Sequence, residues 1–501
     1  MKKRYHKILN KKRRRLEKRL ARRHYTDQTQ SMFKHAHIDY EMAERTQATG
    51  YGGVGAMHAL VGALGLDKDI NAGLHLLKWH LPYFESDHVL NIAYNVVSGG
   101  TCLEDIERLR QDESYTDMLD AERIPDPTTA GDFLRRFDAM ALLKLQEIFH
   151  GARQKIWARQ PASFRQAAIL DVDGTVAGTR GECKAGMDIA YNGVWGYAPL
   201  ILSLANTKEV LYLVNRPGNH TSSQGAAPWM DRAIALVTRV FGKVWLRGDT
   251  DFSLTQNLDR WDEQVGFVFG YDAHANLIEQ AQTLPKAAWQ RLERPPPYEV
   301  KTKPRRRPEN VKEKIVKKRG YKNLRLLREE VAEFDYRPTA CQKTYRMVVL
   351  RKHLRIEKGD KVLGEEVRYF FYITNDRTKS AAEIVEFANG RGDQENVIGQ
   401  LKSGINALRM PAGGLLANGA YMVIAALAWN LKAWYGLLVP DAAAGQAIVH
   451  MEFKRFLLNF IQLPCQVVRS GRRLIYRILT YNQHLKTFFA TFELLKQGAF
   501  P

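Results

Sequence analysis

Residues 167–174 read Ala-Ala-Ile-Leu-Asp-Val-Asp-Gly, and here helical spacing gives way to short apolar runs. The run from Ala168 to Val172 has the length and content of a buried strand. Asp171 and Asp173 stand two apart at its carboxyl end, so both can point to the same side of a sheet. Working outward, 196–204 and 210–214 read as further strands, 226–241 as a helix, 244–246 as a fourth strand and 267–269 as a fifth. Asp249 follows the fourth strand, in Leu246-Arg247-Gly248-Asp249-Thr250-Asp251-Phe252.

Three strands, a helix, a strand, a helix and a strand describe an α/β arrangement, a mixed sheet flanked by helices in the order of ribonuclease-H-like domains. In such a sheet the first and fourth strands are neighbours, which brings their terminal carboxylates together. The final helix of such a domain is delayed. A basic, β-rich insertion intervenes, with strand-like segments at 331–336, 345–355 and 367–374, before Ser380 offers a cap for renewed helical spacing.

That spacing leads to Asn389-Gly-Arg-Gly-Asp-Gln-Glu-Asn-Val-Ile-Gly-Gln-Leu-Lys402. On a straight helix Arg391, Glu395 and Lys402, at i, i+4 and i+11, share one face, while Val397 and Leu401 can hold another side against a core. A solvated face with one i,i+4 ion pair is the alternative for this segment alone. Together with Asp171, Asp173 and Asp249, however, Glu395 completes an oxygen-rich cluster. Hard acidic ligands with open positions suit magnesium or manganese, and two such ions suit in-line phosphoryl displacement.

At these residues the chain resembles bacterial insertion-sequence transposases of the DDE class, in the branch whose last catalytic Glu lies in a Tyr-x2-Arg-x3-Glu-x6-Lys signature. Arg391, Glu395 and Lys402 match that spacing, and the Tyr position is Ala388. The resemblance extends to Asp171-Val-Asp-Gly-Thr, Tyr191-Asn-Gly-Val-Trp-Gly-Tyr197, Arg216-Pro-Gly-Asn219 and Arg247-Gly-Asp-Thr-Asp-Phe252. It implies a cut-and-paste DNA transposase with Asp173, Asp249 and Glu395 as catalytic metal ligands, Asp171 being the alternative to Asp173 and Asp251 a weaker one to Asp249. Two Mg2+ ions are implied, with Mn2+ as a substitute and no other cofactor. Arg391 and Lys402 would hold DNA phosphates beside the cut. The implied partners are the terminal inverted repeats and target DNA, on which the protein acts as a homodimer with paired ends, in a bacterial cytoplasm beside the nucleoid. A transposase-derived DNA binder and a nuclease without strand transfer are the competing readings.

The charge distribution agrees with a polyanionic partner. The formal charge is +21, and two segments, Met1 to His24 and Lys301 to Arg328, carry thirteen Lys or Arg each against one and two Glu. Arg305, Arg306, Arg307, Lys317, Lys318 and Arg319 in the second run are expected DNA contacts. The leader lacks apolar periodicity and is expected to order only on DNA. Cys102, Cys183, Cys341 and Cys465 lack the paired spacing of zinc or disulfide frameworks. No secretory h-region follows the basic start, and the apolar run 419–429 is too short to span a bilayer and reads as a buried helix. Between these landmarks, Ser86 is an expected N-cap, Thr101 to Glu104 an expected capping box, and Pro125 to Thr129 the opening of a further helix through Phe133, Phe137 and Leu142. Trp195 and Tyr197 are expected core residues that could alternatively stack on a base, and His220 a surface or DNA-contact residue. The organisation expected is a basic arm (1–40), a helical DNA-binding domain (41–160), a catalytic core in two parts (161–294 and 379–438) split by the insertion (295–378), and a helical C-terminal region (439–501).

Overall fold

The computed structural model describes residues 3–21, 38–44, 46–294, 311–471 and 473–497. They form two compact units, one of Gln166–Gly174 with Thr221–Glu395, the other of Met1–Arg165, Thr175–His220 and Asn396–Pro501.

The first unit is built on a mixed sheet. Strand β1 (Ala167–Gly174) runs parallel to β2 (Lys243–Gly248), and β2 runs parallel to β3 (Gly266–Tyr271). Ala168, Leu170, Leu246, Phe267, Val268 and Phe269 are all fully or almost fully buried. That is why these strands read as continuous apolar runs rather than as alternating ones. Helix α1 (Ala227–Val237) precedes β2, and α2 (Thr255–Asp262) connects β2 to β3. After α3 (Ala275–Thr283), β4 (Gln290–Arg291) and α4 (Val311–Lys318) come three long strands, β5 (Lys322–Tyr336), β6 (Tyr345–Lys358) and β7 (Lys361–Thr374). These strands are longer than the sequence pattern suggests, because their distal halves carry charges on both faces and lose the period-2 signal.

The insertion is continuous with the core sheet. Strand β7 pairs antiparallel with β3, Phe371 opposite Tyr271, so β5 and β6 extend the same sheet outward. Helix α5 (Ala381–Asn389) packs across it, placing Ala381, Ile384, Val385 and Ala388 against Val268, Val331, Val348 and Leu350. Its start is the expected cap at Ser380, completed into a capping box by Glu383. Helix α6 (Gly392–Gly399) follows after a two-residue break and changes to a π-turn over Gln400–Gly404. The uninterrupted α-helix expected from Arg391 to Lys402 therefore does not form.

The second unit is mainly helical. Its centre is the 23-residue helix Leu415–Leu437, nearly all of it buried, as expected for the apolar run. No described helix is long and apolar enough to cross a membrane. Arg153 and Glu209 form a fully buried ion pair at 2.8 Å, and Glu209 also accepts from the indoles of Trp157 and Trp434 and from the Thr207 hydroxyl. The expected strand 196–204 is two strands, Trp195–Tyr197 and Leu200–Leu204, because Pro199 has no N–H with which to continue a ladder.

Four further expectations are corrected in this unit. The basic leader is helical over Lys3–Leu20; Leu9 is buried, Tyr5 stacks on Phe489, and the Lys12 ammonium donates to the Leu479 carbonyl at 2.7 Å. Tyr5, Ile8, Leu9, Leu16 and Leu20 recur at helical spacing among the charges, an amphipathic pattern that the expectation of a disordered arm overlooked. The C-terminal region contains a hairpin, Cys465–Ser470 and Arg473–Ile478, whose inner strand also pairs with Gln47–Thr49. The helix Glu85–Val97 is capped at Phe84 through Asp87, not at Ser86, and the box at Thr101 closes through Asp105 rather than Glu104.

Candidate active site

Asp171 and Asp173 sit on one strand, and the structure gives them different surroundings. Asp171, 1% exposed, is gripped by Arg247, whose Nε and Nη2 donate to its two oxygens at 2.6 and 2.8 Å. Burial pushes its carboxyl pKa up, and the Arg247 hydrogen bonds and charge oppose that rise. With both oxygens committed, Asp171 has little left to offer a ligand. Asp173, one residue past Val172, ends in a more open position, its side chain 14% exposed.

Asp249 follows β2, which neighbours β1, and accepts from the Asp251 N–H at 3.1 Å. Asp251 itself is exposed beyond the strand end. The Asp173 pKa is pushed up to about 7, first by burial, then by the negative charge of Asp249, with Arg391 opposing and Glu395 adding to the rise. Asp249 is raised too, again by burial first, and Arg391 is the main opposing charge. Asp173 therefore senses Asp249 as a like charge, and both sense the same guanidinium.

Arg391 lies in the break between α5 and α6, its N–H donating to the Ala388 carbonyl at 3.2 Å. Its Nη1 is 3.6 Å from Asp173 and its Nη2 3.7 Å from Glu395. One cation thus stands between two of the expected catalytic carboxylates. Glu395 is on the first turn of α6, where the helix dipole favours a negative charge, and is 67% exposed. Asp249, Arg391 and Glu395 line a cleft of about 480 Å3, which Tyr271, Tyr369 and Tyr372 also line. Ala388 also lines it, so this cleft's rings come from the sheet.

The donors are carboxylate oxygens, without His or Cys, a set that fits a hard divalent cation and not zinc. Among the described residues no group of three or more His, Cys, Asp or Glu side chains stands close enough to hold one ion. At the observed spacing the carboxylates share Arg391 as their cation.

The other expected site residues are distributed differently. Lys402 lies on the π-turn and belongs to the helical unit. Lys317 and Lys318 end α4 and Arg319 follows, all three exposed, with Lys317 3.9 Å from Asp360. Arg305, Arg306 and Arg307 lie outside the described residues. Trp195 is half-exposed and Tyr197 fully buried, its hydroxyl donating to the Ala185 carbonyl at 2.8 Å. The His220 pKa is lowered by burial and by the charge of Arg216. Arg247 was not among the expected site residues. Its signal was present, since a cation inside a buried strand needs a carboxylate, and Asp171 occupies the facing register position.

A family model described as "Transposase DDE domain group 1" matches residues 30–499. No curated protein matches the chain. Among solved structures, a cryo-EM structure of the piggyBac transposase synaptic complex with hairpin DNA is similar at 11% identity and a TM-score of 0.35, covering 83% of this chain and 84% of that one.

Proposed function

The chain belongs to the transposases with a DDE domain of group 1, and from that membership we propose that Asp173, Asp249 and Glu395 are its catalytic carboxylates. The protein is a DDE-type DNA transposase, an enzyme class that works with divalent metal ions. Magnesium is the ion this oxygen-only set favours, with manganese as a substitute. The observation that carries the residue assignment is the shared electrostatics of Asp173, Asp249 and Glu395 around Arg391 in one unit. Asp171, committed to Arg247, is set aside as a ligand.

Bound there, two divalent ions would activate the attacking oxygen and stabilise the leaving oxygen of an in-line displacement. The chain's own residues do the rest. Asp173 and Asp249 present oxygens from the ends of adjacent parallel strands, and Glu395 presents one from the first turn of α6, which follows the sheet-packed helix α5. Arg391, once its carboxylates bind other cations, turns its planar fork to a DNA phosphate, and Lys402 serves as a point charge further along. The core is then ribonuclease-H-like, and the chain takes its place in the insertion-sequence branch with the Tyr-Arg-Glu-Lys signature, Ala388 replacing the Tyr. The helical residues 41–160, Lys317, Lys318 and Arg319 and the basic run before them bind DNA. A homodimer on paired ends, in a bacterial cytoplasm beside the nucleoid, completes the reading.

The test is incubation with the inverted repeats that flank the gene, Mg2+ and a supercoiled target. Joined products are expected. Cut ends alone would mean a nuclease, and shifted but intact DNA a binder. Asp173→Ala, Asp249→Ala and Glu395→Ala should each abolish cleavage with DNA binding retained, whereas a cutting Asp173→Ala with a dead Asp171→Ala would reverse the assignment.

A further inference from the structure

We infer that Arg247 is a positioning residue that sets the Glu395 helix over the strand ends carrying Asp173 and Asp249. This rests on the assignment of those three carboxylates as metal ligands.

Arg247 is 5% exposed and uses three guanidinium nitrogens in two directions. Nε and Nη2 grip Asp171 on β1 at 2.6 and 2.8 Å, and Nη1 donates to the Phe387 carbonyl on the last turn of α5 at 2.8 Å. The guanidinium carbon also lies 5.2 Å from the centre of the Phe387 ring. A single planar cation therefore fixes one strand to its parallel neighbour, and both to the end of the helix that leads into Arg391 and Glu395. The carboxyl end of a helix is where a buried cation is most favourable, because the last carbonyls carry the negative end of the dipole. Asp173 is two residues from one anchor, Asp249 two residues from Arg247 itself, and Glu395 eight from Phe387, so the clamp sets the segment that carries Glu395 relative to the strand ends.

The chain makes room for this clamp. A Cβ at Gly390 would lie 2.2 Å from Arg247 Nη1. Gly390 has φ −57° and ψ −16°, a conformation any residue adopts, so what crowds a side chain there is the anchored guanidinium, with the Phe387 carbonyl at 3.2 Å, and not the backbone conformation. Helix α5 has a second attachment that does not involve Arg247: Phe387 meets the Trp245 ring edge-on at 5.4 Å, and the Lys379 ammonium lies 3.9 Å above that indole. Loss of the clamp should accordingly loosen the helix end without unfolding the unit.

The experiment is Mn2+ binding to the full chain without DNA, followed by the electron paramagnetic resonance signal of free Mn2+. Arg247→Lys keeps the charge but cannot bridge both anchors, and Gly390→Ala pushes the guanidinium aside while favouring the helix. Each should weaken Mn2+ binding about tenfold, with a single cooperative thermal unfolding transition retained in both. Glu395→Gln should weaken binding at least as much. Because the clamp acts through Glu395, adding Arg247→Lys to Glu395→Gln should cost nothing more. Wild-type affinity in Arg247→Lys or in Gly390→Ala, or a full further tenfold loss in the double variant, overturns the clamp. Wild-type affinity in both Asp173→Asn and Glu395→Gln overturns the ligand assignment itself, and the clamp with it.

Discussion

Replacing Asp173 by Asn removes one negative charge from the crowded end of the sheet while keeping the size of the side chain. In the folded protein the Asp173 proton is held up to about pH 7, against an ordinary value of 3.8. That difference of about three units corresponds, at 1.36 kcal/mol per unit, to about 4 kcal/mol opposing the ionised form well above pH 7. The side chain is 14% exposed, so solvent screening takes only a part of it, and a gain of about 2–4 kcal/mol is expected for Asn in the metal-free protein at pH 8. The sign follows from proton binding. Between the two values the folded state holds more protons than the unfolded one, so the stability linked to Asp173 is complete below the unfolded value and is lost as pH rises through about 7. Denaturant unfolding in EDTA at several values from pH 5 to pH 8.5 reads this directly. The wild-type protein should lose stability across the range, Asp173→Asn should lose less, and Mg2+ should restore the wild-type protein at pH 8 while doing little for the variant. Equal pH slopes, or a variant less stable than wild type at pH 8, would refute the reasoning.

Arg391→Lys keeps the charge beside Asp173 and Glu395 but loses the planar fork, so single-turnover cleavage of a pre-bound end should fall about tenfold while end affinity changes little. Lys402→Arg should be milder, and unchanged cleavage in both variants would remove the phosphate role. Glu209→Gln leaves the Arg153 guanidinium buried beside a neutral partner, and a loss of about 3–5 kcal/mol in denaturant unfolding is expected; a loss below 1 kcal/mol would mean that the indole and hydroxyl donors dominate the network. Removing residues 3–21 exposes the surface under Tyr5 and Leu9 and should cost about 1–3 kcal/mol in addition to flattening the salt dependence of DNA binding. An unchanged unfolding midpoint would return the leader to a purely electrostatic arm.

What could be read from the chain alone was local. The strand carrying Asp171 and Asp173 declared itself by an unbroken apolar run, the helix before Arg391 by its Ser380 cap, and the central buried helix by composition, because periodicity and capping are set by residues a few positions apart. The spacing of Arg391 and Glu395 foretold their ion pair for the same reason. The π-turn over Gln400–Gly404, by contrast, left no mark in the spacing, which reads as one continuous helix. The different surroundings of Asp171 and Asp173 were beyond local reading: both are carboxylates at one strand end, and only pairing with a residue 76 positions away commits the first to Arg247. The joining of the insertion to the core sheet through Phe371 and Tyr271, the docking of the leader on Phe489, and the pairing of Gln47–Thr49 with a C-terminal hairpin are decisions of the same kind. Each depends on which buried surfaces and unpaired backbone groups meet after collapse, a choice that sequence-distant partners make together and that neither partner's local sequence encodes.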